Sequence, residues 1–277
     1  MHLCVSMWSL HRKFFDDGWT VMDFLEFCST HDIQHVELLD VFWRDEANEV
    51  AKVLEYVHDH EMTVDVYAVT NDCVQSDRSK REQALASVLK GVEMAKKFSA
   101  PVVRVFAGDL KEGYDFDSAV GYIVDGFKEA TARIQNDNVV LALENHGKLA
   151  GRGDQVKRII LDVGSDKLRS TFDVGNFYLV GQQPMEALAE LSGYVAHVHA
   201  KDFEPSDKGF LATTGEYFAG RECGSGIVPY GDVVNMLRTI RYDASLSLEY
   251  EGDGDEIDGV LKSLAFLRSV VDQTTNV

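Results

Sequence analysis

The chain predicts an α/β fold, a single-domain (β/α)8 barrel, and three observations predict it. Short runs rich in β-branched residues alternate with longer amphipathic segments eight times, the pattern of successive βαβ units on a parallel sheet. The stretch after the first strand, WSLHRKF, lacks the glycine-rich phosphate turn that an open doubly wound sheet would normally carry there. The length of 277 residues fits a closed barrel of roughly 250 residues. No low-complexity linker interrupts the pattern, so residues 1–277 are read as one domain.

Taken in order, strand LCVSMWS and a helix from Thr20 to about His31 form the first unit. HVELLD with a helix from Glu46 to His60 forms the second, and TVDVYAVT with a helix from Asp77 to Phe98 the third. PVVRVFAG opens the fourth, whose helix runs from about Phe116 to Gln135. VVLALEN, LRSTFDV, YVAHVHA and SLSLEYE are the remaining strands, with helices near Asp154 to Val163, Pro184 to Leu191, Tyr230 to Ile240 and Ile257 to Val271. The connection from Lys201 to Pro229 is long and holds several glycines. It follows the strand bearing His199, on the face where barrel sites form, and reads as a lid.

Four of these strands finish on a potential metal ligand: Glu144, Asp173, His199 and Glu249. Side chains alternate along a strand, so Glu144 shares a face with Ala142 and Val140, and His199 with His197 and Lys201. If all four point to the barrel axis, three carboxylates and one imidazole converge. At an effective dielectric near 20, two carboxylates about 5 Å apart repel by about 3 kcal/mol, so the group needs a compensating cation. One divalent ion would supply it, manganese, magnesium, cobalt or zinc, because the donors are mostly hard oxygens. His197 could replace His199, but two residues deeper it is better suited to support or packing.

Composition narrows the partners. Lysine and arginine total 27 against 46 acidic residues, a net charge of −19, whereas nucleic acid binding needs a basic surface. Cys4, Cys28, Cys73 and Cys223 are far apart with no CxxC pairing, which implies reduced thiols. There is no basic leader before the first apolar stretch and no run near the length of about 20 apolar residues that spans a bilayer. A cytoplasmic protein with a small-molecule partner and no membrane partner is expected, and a homo-oligomer is compatible with the chain.

LALENHG around Glu144, FDVGN around Asp173, HVHAKD around His199, the GSGIVPY turn and SLEYEG around Glu249 together resemble the xylose isomerase-like TIM-barrel superfamily. These sugar phosphate isomerase/epimerase proteins include ketose 3-epimerases, inosose dehydratases, dehydroshikimate dehydratases and endonuclease IV. The resemblance covers nearly the whole chain. It implies one divalent ion held by Glu144, Asp173, His199 and Glu249, and, in the epimerase branch, two glutamates that take and return a proton. The ion would bind a carbonyl and its adjacent hydroxyl and stabilise the enediolate left when an α-proton departs. Glu144 or Glu249 would be the base and the other the acid. The chain departs from the ketose epimerases at Asn176, where they carry histidine, and at Lys201 and Asp202, where they carry glycine and glutamate. These departures argue against carrying ketose 3-epimerase activity over unchanged.

A metal-dependent sugar isomerase or epimerase is therefore expected, with a keto-cyclitol dehydratase as the alternative. A dehydratase would use the same metal and carboxylates and need an acid near the leaving hydroxyl, from His146 or Lys201. Endonuclease IV requires a trinuclear zinc cluster and a basic groove; here the additional His58 and His60 sit at a helix end. A non-catalytic barrel is the remaining class. Further substrate contacts are expected from Glu37, Arg104, His146, Asn176, Lys201 and Arg221. Glu37 could instead orient a ligand histidine, and Arg104 is read as bracing the carboxylates. Trp8 and Phe106 could wall a sugar ring, and Asn71 and Asp72 could read hydroxyls or cap a loop.

Overall fold

A computed structural model describes residues 1–273. Eight parallel strands close into a barrel in the order β1-β11-β7-β6-β5-β4-β3-β2. They are β1 (His2–Ser6), β2 (His35–Leu39), β3 (Thr63–Ala68), β4 (Val102–Val105), β5 (Val140–Glu144), β6 (Leu168–Asp173), β7 (Val195–Ala200) and β11 (Ser245–Leu248). Nine helices alternate with them among the described residues: α1 (His11–Phe15), α2 (Val21–Thr30), α3 (Glu46–Asp59), α4 (Arg78–Lys97), α5 (Phe116–Arg133), α6 (Gly153–Val163), α7 (Pro184–Leu191), α8 (Tyr230–Thr239) and α9 (Glu256–Gln273). None is long and apolar enough to cross a membrane.

Local chemistry explains the helix boundaries. Thr20 and Asp23 form a reciprocal capping box at the start of α2, and Asp115 and Ser118 do the same for α5. Asp77 caps α4 by accepting from the Lys80 N–H at 3.0 Å, and Pro184 occupies the first turn of α7. The apolar faces, such as Val156, Ile159, Ile160 and Val163 of α6, pack into the layer between helices and barrel. A second, smaller apolar cluster of Val66, Val102 and Ala142 is separate from that layer and lies inside the barrel, on the face shared with Glu144.

Two expectations change. The first strand ends at Ser6 and turns into a 3-10 segment over Met7–Leu10, begun by the Ser6 hydroxyl accepting from Trp8 N–H at 3.3 Å. The long connection contains a three-stranded antiparallel sheet, β8 (Asp202–Ser206), β9 (Phe210–Leu211) and β10 (Tyr217–Arg221), in the order β8-β10-β9. Phe203 and Phe218 are buried beneath it, and Pro205 is tolerated because β8 is an edge strand. The Asp202 carboxylate fastens the return of this excursion, accepting from the N–H groups of Phe203, Gly224, Gly226 and Val228 at 2.9–3.1 Å. Gly226 is required there, since a Cβ would collide with that carboxylate.

Candidate metal centre at the barrel mouth

Register brings the four strand-end residues together. Asp173 of β6 pairs with His199 of β7, His199 pairs with Ser247 of β11, and Glu144 of β5 pairs with Thr171. Paired residues on parallel strands face the same side, so all of these look into the barrel. Glu249 lies one residue beyond β11, yet its N–H still bonds Ala200 C=O at 3.0 Å and continues the strand direction. One donor atom from each of Glu144, Asp173, His199 and Glu249 falls within 4.8 Å of the others.

The donors surround a common point. His199 Nδ1 stands 3.6 Å from Glu144 Oε2, 3.9 Å from Asp173 Oδ2 and 3.7 Å from Glu249 Oε1. These spacings are too long for hydrogen bonds but suit ligands of one ion, which at bonds of about 2.1 Å stand at most about 4.2 Å apart. His199 Nδ1, Glu144 Oε2 and Asp173 Oδ2 are buried without a hydrogen-bond partner, a condition that calls for explanation in a folded protein. The donor set fits a divalent cation: His199 Nδ1 has no hydrogen-bond partner, and Glu144 Oε2 and Asp173 Oδ2, also without one, are flanked by the charges of Arg104 at 3.3 Å and Lys201 at 3.2 Å.

Glu37 sits below this group rather than at the mouth. It is fully buried and faces His197 Nε2 at 3.0 Å, His199 Nε2 at 3.1 Å and the Ser247 hydroxyl at 2.8 Å. By accepting a hydrogen bond from His199 Nε2–H, Glu37 fixes the ring and turns Nδ1 toward the cluster, the usual way a carboxylate orients a ligating imidazole. Burial works against the Glu37 charge, but His199 and His197 overcome it and hold the carboxyl well below its ordinary range. His197 is thereby a support, not a member of the donor group.

Lys201 is buried among three carboxylates, 2.6 Å from Glu249, 3.2 Å from Asp173 and 3.1 Å from Glu251. Gly175 lets the chain pass this close, because a Cβ there would lie 2.8 Å from the Lys201 carbonyl. Asn176 donates to Glu144 Oε1 at 3.1 Å and accepts from Lys201 Nζ at 3.4 Å. Arg104, stacked on Phe106 with its guanidinium 4.1 Å from the ring centre, reaches Glu144 Oε2 at 3.3 Å.

Mutual electrostatics separate the acids. Burial would raise Glu249, but Lys201, His199 and Arg104 bring it down to about 2. Burial raises Asp173 to about 6 against the pull of Lys201, with Glu144 and Glu249 repelling it further. Glu144 is also raised, chiefly by burial, despite His199 and Arg104. Burial disfavours the His199 charge, but Glu37, Glu249 and Glu144 lift it to about 10.

The remaining expected contacts divide. His146 is exposed at the mouth with its ring 4.7 Å from Phe106. It borders a cavity of about 250 Å³ with Asn176, Lys201, Phe210, Leu211 and Glu251. A groove of about 700 Å³ along α4 and α5 holds none of these groups. Arg221 is not brought to the site. It lies exposed on β10 and pairs with Glu204 of the neighbouring strand β8. Asn71 and Asp72 tie loops, bonding the Phe106 backbone at 2.6 and 2.8 Å and the Val74 N–H at 3.0 Å. Trp8 donates its indole N–H to Glu251 at 2.6 Å. Glu251 escaped the sequence reading, although its spacing of two from Glu249 was the signal.

The model for the xylose isomerase-like TIM barrel family matches residues 22–270. The chain belongs to that family. Among solved structures of the same fold, a probable 3-DHS dehydratase, AsbF, involved in petrobactin synthesis in Bacillus anthracis, is 18% identical with a TM-score of 0.80, covering 97% of this chain and 99% of its own. The IOLI protein with a bound zinc atom is 17% identical with a TM-score of 0.81 over 100% of both chains. A D-tagatose 3-epimerase-like protein is 18% identical with a TM-score of 0.80, over 99% of this chain and 100% of its own. At such identities these likenesses concern the fold. No curated protein matches the sequence.

Proposed function

We propose that this family member is a divalent-metal-dependent isomerase or epimerase of a small polyhydroxylated carbonyl compound. The observation that carries the reading is the meeting of Glu144 Oε2, Asp173 Oδ2 and His199 Nδ1 without hydrogen-bond partners, with Glu249 beside them. Glu144, Asp173, His199 and Glu249 would hold manganese, magnesium, cobalt or zinc. When bound, the ion supplies electrophilic polarisation of a carbonyl and its neighbouring hydroxyl.

The chain's own residues do the rest. One of Glu144 and Glu249 removes the proton α to the carbonyl, leaving the substrate as an enediolate, and the other returns a proton. Arg104 and Asn176 hold Glu144, and Lys201 holds Glu249. His146, Asn176 and Lys201 face the cavity where hydroxyls would be read, and Phe210 and Leu211 cover it as a lid. The four free, buried cysteines suit a reducing, cytoplasmic setting.

Lys201 supports a second reading, a keto-cyclitol dehydratase. Its buried ammonium, 2.6 Å from Glu249, is a proton source for a departing β-hydroxyl once the α-proton has been taken. Incubating metal-loaded protein in D2O with ketoses and keto-cyclitols separates the two by NMR. Deuterium at the α-carbon with the hydroxyls intact is the expected result. Loss of water with a new C=C would transfer the assignment to the dehydratase, and bound metal without either reaction would make the barrel non-catalytic.

A further inference from the structure

We propose a second metal site, at the opposite end of the barrel, formed by His2, His35 and Asp65. His2 opens β1 and His35 opens β2, and the two strands are hydrogen-bonded neighbours. Asp65 reaches them through an irregularity. Val36 pairs with Val64 and Glu37 with Val66, so Asp65 is an extra residue without a partner in β2. The bulge reverses the alternation: Val64 packs in the layer under the helices and Val66 inside the barrel. Bulges at barrel rims re-aim side chains in this way, and here one turns a carboxylate onto two imidazoles.

The carboxylate joins the two imidazoles through hydrogen bonds, and the same atoms are close enough to turn onto one ion. Asp65 Oδ2 lies 2.8 Å from His2 Nε2 and Oδ1 lies 3.0 Å from His35 Nδ1, with the rings 3.9 Å apart at their centres. Adjacent ligands of an ion with bonds of about 2.1 Å stand about 3.0–3.4 Å apart, so a small widening of these two contacts, with loss of the shared protons, would seat one. One donor atom from each residue falls within 4.8 Å of the others. The Asp65 side chain is 11% exposed, while the imidazoles are 40% and 32% exposed, so a buried anchor meets an open face. Beside them is a cavity of about 340 Å³ bordered by His2, His35, Asp32, Arg268 and Asp272, room for an entering ion and its water ligands.

Two imidazoles and one carboxylate select a borderline cation such as zinc, nickel or cobalt over magnesium. Held by β1, β2 and β3, the ion would clip the first three strands at the barrel floor, the end associated with stability rather than chemistry. The site is independent of the proposed reaction at the mouth.

The test uses untagged full-length protein dialysed against zinc chloride, with bound zinc measured by elemental analysis. Wild type is expected to hold two equivalents, His199→Ala one, His35→Ala one, and the double variant none. Zinc should raise the Tm of His199→Ala and leave that of the double variant unmoved. Equal zinc content in wild type and His35→Ala overturns the site. Should His35→Ala fail to fold, His2→Gln removes the more exposed ligand. Imidazole 15N shifts of His2 and His35 in the wild-type protein that do not respond to zinc overturn it without any variant.

Discussion

The mouth and the floor of this barrel both gather histidine and carboxylate, and they are built in opposite ways. The mouth buries three carboxylates around one imidazole, with Lys201, Arg104 and Asn176 bracing them. The floor sets two half-exposed imidazoles against one carboxylate. Burial makes the difference. Buried acids must be compensated or protonated, so the mouth is surrounded by donors and its acids are driven apart in proton affinity. An open His–Asp–His group answers to water and needs no such shell.

The largest effect that would test this contrast is kinetic. Glu144→Gln and Glu249→Gln should each lower solvent-deuterium exchange into substrate by about 10²–10⁴-fold, whereas His35→Ala should leave it unchanged. Wild-type exchange in either glutamine variant would remove the proton-transfer roles.

Next comes the buried lysine. Lys201→Met leaves Asp173, Glu249 and Glu251 facing one another, and breaking a buried ion pair costs about 3–5 kcal/mol. Chemical denaturation of chelator-treated protein should show a loss of that order, partly restored by manganese. An unchanged midpoint would mean that the carboxylates do not depend on the ammonium.

Glu37→Gln keeps the shape but weakens the hold on His199, and should reduce metal affinity by about 10–100-fold. Isothermal titration would detect it, with kcat recovered at saturating metal. A loss of kcat that metal does not restore would assign Glu37 a direct part in turnover.

The smallest effect is the pH slope. To act as ligands, His199, raised to about 10, and Asp173, raised to about 6, must be deprotonated. Metal and protons therefore compete, and affinity rises with pH. Between about pH 6 and 9 the rise should be about tenfold per unit, one proton released from His199, and steeper below about pH 6 where Asp173 also releases one. A flat profile would detach His199 from the metal.

Much of this was legible in the chain. Helix α7 begins at Pro184 and ends at Leu191 as read, and the other predicted helices fall within about two residues of expectation, because capping and amphipathic spacing are local. Glu144, Asp173, His199 and Glu249 stood out because each closes an apolar strand run. The placement of Arg221 was not legible because the sheet formed by β8, β9 and β10 was read as a loop, and it is within that sheet that Arg221 lies exposed and pairs with Glu204. Asp65 was invisible for a related reason. Strict alternation puts Val64 and Val66 on one face, and only the pairing with β2 reveals that a bulge places them on opposite faces.

By itself, then, the sequence determined the eight-unit barrel and picked out the four residues that meet at its mouth, since hydrophobic periodicity and strand-end chemistry are properties of neighbouring residues. The tertiary structure decided how those donors are held. Glu37 under His199, Lys201 among three acids and Asp65 against two imidazoles are contacts between strands far apart in the chain. Such contacts depend on register, and register is fixed only when the closed barrel chooses which residue of one strand lies beside which residue of the next.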